Sequence, residues 1–197
     1  MIVVPVFVAG WFAWTLGEYV LHRFAMHSLK GRGLPSREHL IHHSEADSVL
    51  EKWWMSWAGI VAVGLAFAFN VHWAFGLGWV VGYGFYDLQH YRAHRSAPRT
   101  RYQRWLRRHH FHHHFGHPLV NHGVTWSLWD RVFGTWREPG RIRVPRRLAM
   151  VWLLDESGEL RPEHADDYEL VGSATRDERQ VKIDRARAFA NLAPTTA

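Results

Sequence analysis

Two stretches of the chain carry no charge, and they organise everything else. The first, Met1 to Gly17, runs IVVPVFVAGWFAWTLG and continues through Glu18 to Leu21. No basic residue precedes it and no small-residue cleavage site follows, so it reads as a membrane helix rather than a secretory signal. The second runs from Trp53 to Tyr86, broken only by Asn70, Val71 and His72. One spanning helix needs about 20 residues, so this stretch predicts two short helices joined by a tight turn at Asn70–His72. The predicted spans are residues 2–21, 53–69 and 73–86. The competing arrangement is a buried hairpin in a soluble core. Tryptophans 53, 54, 57, 73 and 79 sit near the span ends, as an interfacial aromatic belt requires.

Charge gives these spans a direction. Arg23, Lys30, Arg32, Arg37 and Lys52 lie between the first two. Arg92, Arg95, Arg99, Arg101, Arg104, Arg107 and Arg108 follow the third with no acid among them. The positive-inside rule places both segments on the cytoplasmic face and the N-terminus outside. The net charge is +6 and the pI about 10.1, values that suit either a nucleic-acid binder or a membrane-surface protein. Residues 1–140 hold 14 basic against 8 acidic residues, whereas 141–197 hold 10 of each. The excess is therefore a membrane collar attracted to anionic headgroups. With no nucleic-acid motif present, no nucleic-acid partner is expected.

The remaining segment, 141–197, opens on the basic junction RIRVPRR. RLAMVWLLDESGEL predicts a short amphipathic element, RDERQVKIDRARAFANL a charged surface helix, and LAPTTA a frayed end. No chemistry is assigned to this extension.

The chain has no cysteine and 16 histidines. Disulfides, zinc fingers, iron–sulfur clusters and haem–thiolate centres are thereby excluded, and any metal must be held by imidazole and carboxylate. Ten histidines fall in four spaced clusters: EYVLHRFAMH (His22, His27), HLIHH (His39, His42, His43), DLQHYRAH (His90, His94) and RHHFHHHF (His110, His113, His114). Positions three and four apart share a helix face, so each HxxHH is expected to present three imidazoles in one direction, and His90 with His94 likewise. His22 and His27, five apart, would splay on a straight helix, which predicts that this helix ends or bends near Ala25. All ten lie on the predicted cytoplasmic side, so they can converge on one site beneath the membrane helices. Ten imidazoles suffice for two metals, and nitrogen-only ligation suits iron, zinc, copper or nickel. Glu18, four before His22, and Asp87, three before His90, are candidate carboxylates for orienting ligand rings near membrane depth. His72, His117, His122 and His164 read as surface or satisfied core residues. For His109 and His112 metal contact stays open, with His109 a candidate neighbour of the ligands.

The order HxxxxH, HxxHH, HxxxH, HxxHH resembles the fatty acid hydroxylase and sterol desaturase superfamily of membrane two-metal oxygenases. EYVLHRFAMH, GYGFYDLQHYRAH, HHFHHHFGH and HGVTWSLWDRVFGTW are most similar to the fatty acid 2-hydroxylase subgroup, from about Glu18 to Trp136. The resemblance implies an all-α fold: an integral membrane helical bundle, residues 1–140, with a cytoplasmic helical cap holding the metals. It implies that the ten clustered histidines bind two irons, with zinc as an occupant of recombinant protein. Dioxygen would be the co-substrate, a fatty acyl lipid the substrate, and a separate electron-transfer protein the donor. The expected reaction is hydroxylation of an unactivated C–H bond, with a channel near Trp14, Trp57, Tyr83 and Tyr86. Carotenoid ring hydroxylases and sterol desaturases or hydroxylases share the cluster order. A bis-histidine haem carrier or a non-catalytic metal handler are the readings of another class. The chain departs from the family pattern in lacking a proline in HHSEADS and in having His122 before GVT.

Overall fold

A computed structural model describes residues 2–46 and 53–196, with the side chain of Trp53 excluded. Lys52, the end of HHSEADS and the belt role of Trp53 lie outside the described residues. The first predicted span forms α1 (Val3–Val20). It does not end near Ala25. It widens instead into a π-helical stretch, π1 (Leu21–Ser28). The continuous helix Val3–Ser28 is long and apolar enough to cross a membrane. After a turn through Gly31 and Gly33, both at positive φ, α2 (Leu34–Glu45) starts with Pro35 in its first turn. It stops at Ala46, a left-handed residue at φ 51°.

The hairpin turn falls where Asn70–His72 predicted it. It joins α3 (Trp53–Asn70) to α4 (Trp73–Arg95), whose first turn is capped by the His72 ring accepting from the Ala74 N–H. α4 runs nine residues past the predicted end of its span and carries His90 and His94 on the same rod. α1 packs along α4 through glycines. A Cβ on Gly10 would collide with the Phe75 backbone, and one on Gly78 with the Phe7 carbonyl. Close backbone approach through small residues is how helices associate where lipid removes the hydrophobic drive. On the outer faces, Val4, Val8, Phe12, Val61, Leu65, Leu77 and Phe69 (86% exposed) leave an apolar surface that water would not favour.

Beyond α4 comes α5 (Arg101–Phe111), N-capped by Thr100, which passes into a second π-helical turn, π2 (His112–Gly116). Arg107 does not belong to the basic collar. It is 1% exposed, and its guanidinium donates to the Arg92 and Ser96 carbonyls (2.7 and 2.6 Å), closing the C-terminus of α4. Helix ends leave such carbonyls without partners, and a buried one needs a donor. Arg104 and Arg108 pair with Asp167, which leaves Arg92, Arg95, Arg99 and Arg101 exposed.

The extension is neither purely helical nor loose. β1 (Ile142–Pro145) pairs in parallel with β2 (Tyr168–Val171), a departure from an all-α fold. The predicted amphipathic element is a pair of 3₁₀ turns, Arg146–Leu148 and Val151–Leu153, either side of Ala149–Met150. Ile142, Val144, Leu148, Met150, Trp152, Leu153 and Tyr168 share one core with Ala93, Leu106, Phe111, Phe115 and Val124. The charged helix α7 (Glu178–Phe189), with α6 (Leu128–Val132) preceding the strands, docks on α2. Its Asp184 is buried against Arg147 at 2.7 Å, and Arg147 also reaches Thr195, so the segment predicted to fray is tied down. Alternation of charge along α7 hid that buried pair.

Candidate metal centre

Each histidine cluster sits on a different piece of helix: π1, α2, the last turns of α4, and the α5–π2 junction. π-helical hydrogen bonds run from i to i+5 and widen the turn, which on π1 swings His27 back towards the side of His22. Their rings lie 5.2 Å apart on one side. π2 carries His113 and His114, with the His117 N–H bonded back to the His112 carbonyl.

The four clusters form two groups. His22, His27, His39, His43 and His113 bring one ring nitrogen each to within 4.8 Å of one another, and His42, His90, His94, His110 and His114 do the same. We call these centres A and B. Each HxxHH is thus split. Adjacent helical residues point about 100° apart. His39 and His43, one turn apart on α2, face A while His42 faces B; His110 and His114 face B while His113 faces A. The expectation that three imidazoles of one motif point the same way is therefore corrected. The centres adjoin, since the rings of His43 and His114 stack at 4.1 Å and 10°.

Proton counting shows that these groups fit a cation. The Nδ1 atoms of His22, His113 and His94 face the backbone carbonyls of His122, Val120 and Ala46, and that of His27 faces Asn191 Oδ1. A carbonyl oxygen only accepts, so each Nδ1 carries the proton and each Nε2 of a neutral ring is a bare lone pair. Yet His27 Nε2 and His113 Nε2 stand 3.1 Å apart with no proton between them. His113 Nε2 also lies 3.0 Å from His43 Nε2, and His39 Nε2 lies 2.9 Å from His27 Nε2. In centre B, His94 Nε2 meets His110 Nε2 at 2.9 Å, and neither nitrogen of His114 has a hydrogen-bond partner. Proton sharing between His27 and His113 would require imidazolium. Burial first, and neighbouring imidazoles second, hold His39, His43 and His113 well below the ordinary histidine value. A metal ion among the lone pairs resolves both conflicts, and neutral imidazole is the form a metal needs.

The candidate carboxylates do other work. Glu18 is buried and accepts from the Thr125 N–H (2.8 Å) and hydroxyl (2.7 Å), tying α1 to the loop before α6. Asp87 accepts from the Trp57 indole at 3.2 Å. Among the described residues neither bonds a clustered ring; backbone carbonyls and Asn191 take that role. His109 Nε2 instead lies 3.3 Å from Asp130, and its ring stacks on Trp105. His112 is half-buried and in neither group, and His117, on the loop, accepts from the Leu119 N–H. His164 packs against Trp152.

Three residues not expected from their spacing matter here. Asp130 is fully buried and accepts from the backbone N–H of His122 and Gly123 (2.8 Å each) and from the Thr135 hydroxyl (2.8 Å). It thereby clamps the loop whose carbonyls at Val120 and His122 orient His113 and His22. His122 itself is 1% exposed, with its ring 5.5 Å from those of His22 and His113. Asn191 comes from the far end of the chain.

A cavity of about 170 Å³ is lined by Met26, Leu34, Pro35, Met55 and Tyr86, by the polar Glu38 and Ser56 and, from the two centres, by His39 and His90. Of the four aromatic residues expected along a channel, only Tyr86 faces it, stacked parallel to His90. Trp14 and Tyr83 pack with Trp57 into an aromatic core between α1, α3 and α4, and Tyr86 joins that core to the cavity.

Comparison with known proteins agrees with this geometry. The chain is 34% identical over 145 residues to the dihydroceramide fatty acyl 2-hydroxylase FAH1 of Arabidopsis thaliana, covering 68% of this chain and 61% of that one. It is 31% identical to the ceramide very long chain fatty acid hydroxylase SCS7 of Saccharomyces cerevisiae, over 68% of this chain and 38% of the relative. With the fatty acid 2-hydroxylase of Homo sapiens it shares 30% identity over 66% of this chain and 38% of the other. The chain thus spans between about two fifths and three fifths of the length of these relatives. Among solved structures, the visible hydroxylase domain of full-length scs7p superposes with a TM-score of 0.55 at 28% identity, covering 70% of this chain and 57% of that one. Residues 7–135, which contain all ten clustered histidines, match the fatty acid hydroxylase family along their whole length, and the chain belongs to that family.

Proposed function

We propose that this protein is an integral membrane two-iron oxygenase that hydroxylates an unactivated C–H bond of a fatty acyl lipid. The observation that carries this reading is the gathering of ring nitrogens in two adjoining five-histidine groups, where the bare lone pairs of His27 and His113 face each other at 3.1 Å, with one ring of each group lining one cavity. Nitrogen-only donor sets suit iron. An iron pair held there would supply reductive activation of dioxygen. The balance is one oxygen atom into the C–H bond and the other into water, with two protons and two electrons brought by a separate electron-transfer protein. The residues of the chain do the rest. The carbonyls of Val120, His122 and Ala46 fix the ring tautomers, leaving each Nε2 free to bind. Met26, Leu34, Pro35, Met55 and Tyr86 give the cavity an apolar wall along which an acyl chain would lie beside His39 and His90, with Glu38 and Ser56 as its polar part. The substrates named for the Arabidopsis and yeast relatives, dihydroceramide and ceramide fatty acyl groups, support this substrate class.

The test is lipid mass spectrometry on cells with and without the protein. A gain of one oxygen on an acyl chain is expected. The same gain on a carotenoid or sterol would replace the substrate, and unchanged lipids with metal bound would make the protein a metal handler. A Soret band in the purified protein would overturn the two-iron reading.

We further place α1, α3 and α4 across the bilayer with both centres on the cytoplasmic face, supported by the exposed arginines after α4 and the uncharged Asn70 turn. Because the chain has no cysteine, single substitutions report sidedness cleanly. In intact cells a membrane-impermeant maleimide is expected to label an Asn70→Cys variant and to leave an Arg99→Cys variant unlabelled until the membrane is opened. The reverse pattern would invert the topology.

A further inference from the structure

We infer that the C-terminal segment is a working part of centre A, and that Asn191 is the residue through which it acts, as a positioning residue for His27. The inference rests on the reading of centre A as a metal site. Asn191 grips His27 at two points. Its Oδ1 accepts from the ring Nδ1–H at 2.9 Å, and its Nδ2 donates to the His27 backbone carbonyl at 3.2 Å. The second bond fixes which end of the amide faces the ring, so the ring proton sits on Nδ1 and Nε2 points at His39 and His113.

The placement follows from how α7 ends. The Asn191 N–H bonds to the Ala188 carbonyl and the Leu192 N–H to that of Arg187, with Asn191 left-handed at φ 56°. This is a Schellman cap, in which glycine is favoured at the left-handed position and asparagine is tolerated. Here the asparagine side chain is 8% exposed and spends its amide on His27, 164 residues away. The docking around it is specific. Phe189 packs so closely over Gly31, at the end of π1, that a Cβ there would stand 2.5 Å from its ring. Arg176 donates to the Ser44 carbonyl, and Arg185 faces Glu45 at the end of α2. The segment thus bridges the two helices that carry four of the five rings of centre A. Residues 176–196 lie outside the stretch that matches the family, 7–135.

The test uses full-length protein in detergent, loaded with two equivalents of zinc and challenged with a chelator. Asn191→Gly keeps the cap conformation and removes only the amide. It is expected to weaken retention of one zinc about 10–100-fold, the usual cost of losing a partner behind a ligand histidine, with the other zinc held as tightly as in the parent. Asn191→Asp keeps an acceptor for the ring N–H and should restore retention. If Asn191→Gly holds both ions as tightly as the parent, or Asn191→Asp loses one as readily as the glycine variant, the inference is overturned. A parent chain that holds no zinc overturns the metal reading and this inference together.

Discussion

His113→Ala is expected to abolish hydroxylation and to lower bound metal from two ions per chain to one, while the protein stays in the membrane. His113 is held from both ends in centre A: its Nδ1 faces the Val120 carbonyl at 2.8 Å, and its Nε2 stands 3.0 and 3.1 Å from those of His43 and His27. Loss of a partner behind a ligand already costs about 10–100-fold in affinity or activity, and loss of the ligand itself should exceed that. The apolar faces of α1, α3 and α4 are untouched, so membrane extraction behaviour should not change. His43→Ala should behave alike. His114→Ala is the companion, removing the ion of centre B while sparing A. Metal analysis on the three variants, with lipid turnover measured alongside, checks the division into centres. Full activity in His113→Ala and His43→Ala would refute it, and loss of both ions in every variant would show one shared site.

The second large effect is expected at Asp130. Asp130→Ala leaves the buried N–H groups of His122 and Gly123 without their acceptor, and each such donor costs about 1–3 kcal/mol. The expected loss is about 3 kcal/mol or more, a fall of roughly 10 °C in melting temperature for a chain of this size. Centre A should weaken as well, because His113 and His22 lose the loop that orients them. Burial by itself would raise the Asp130 carboxyl, but its bonds with His109 and the neighbouring loop hold it below the usual carboxylate range. A depressed carboxylate contributes its stability above the ordinary value and loses it as the pH falls through the depressed one. The acid destabilisation contributed by Asp130 should therefore build up as the pH falls from the ordinary aspartate value towards the depressed one, and the Asp130→Ala variant should lack that component. Thermal melts across pH check both. A variant melting within a degree or two of the parent would show that the clamp carries little energy.

How far these sites can be seen in the sequence depends on whether the interactions are local. The pairs His39/His43, His90/His94 and His110/His114 each share a centre because four residues make about one helical turn, and that fact is written in the spacing. The turn at Asn70–His72 shows for a similar reason, since one polar interruption of a long apolar run leaves two helices. The pairing of His22 with His27 needed a π-helical turn, and nothing in LHRFAMHS announces one. The roles of Glu18 and Asp87 were misread because proximity in sequence to a histidine does not say where a carboxylate bonds. Glu18 found Thr125, 107 residues on.

The amino-acid order alone determined that this chain has uncharged apolar segments, and that any metal among its ten imidazoles at helical spacing would be held without thiolate help. Those are consequences of hydropathy, period and residue chemistry, which act over a turn or two of chain. The tertiary structure decided which neighbours part company, so that His42 and His43, or His113 and His114, serve different centres. It also decided which groups stand behind the rings: the Val120, His122 and Ala46 carbonyls, the Asp130 clamp, and Asn191 at the end of α7. Each of these depends on where a backbone carbonyl or a helix cap comes to rest after distant segments pack, and no local period encodes that position.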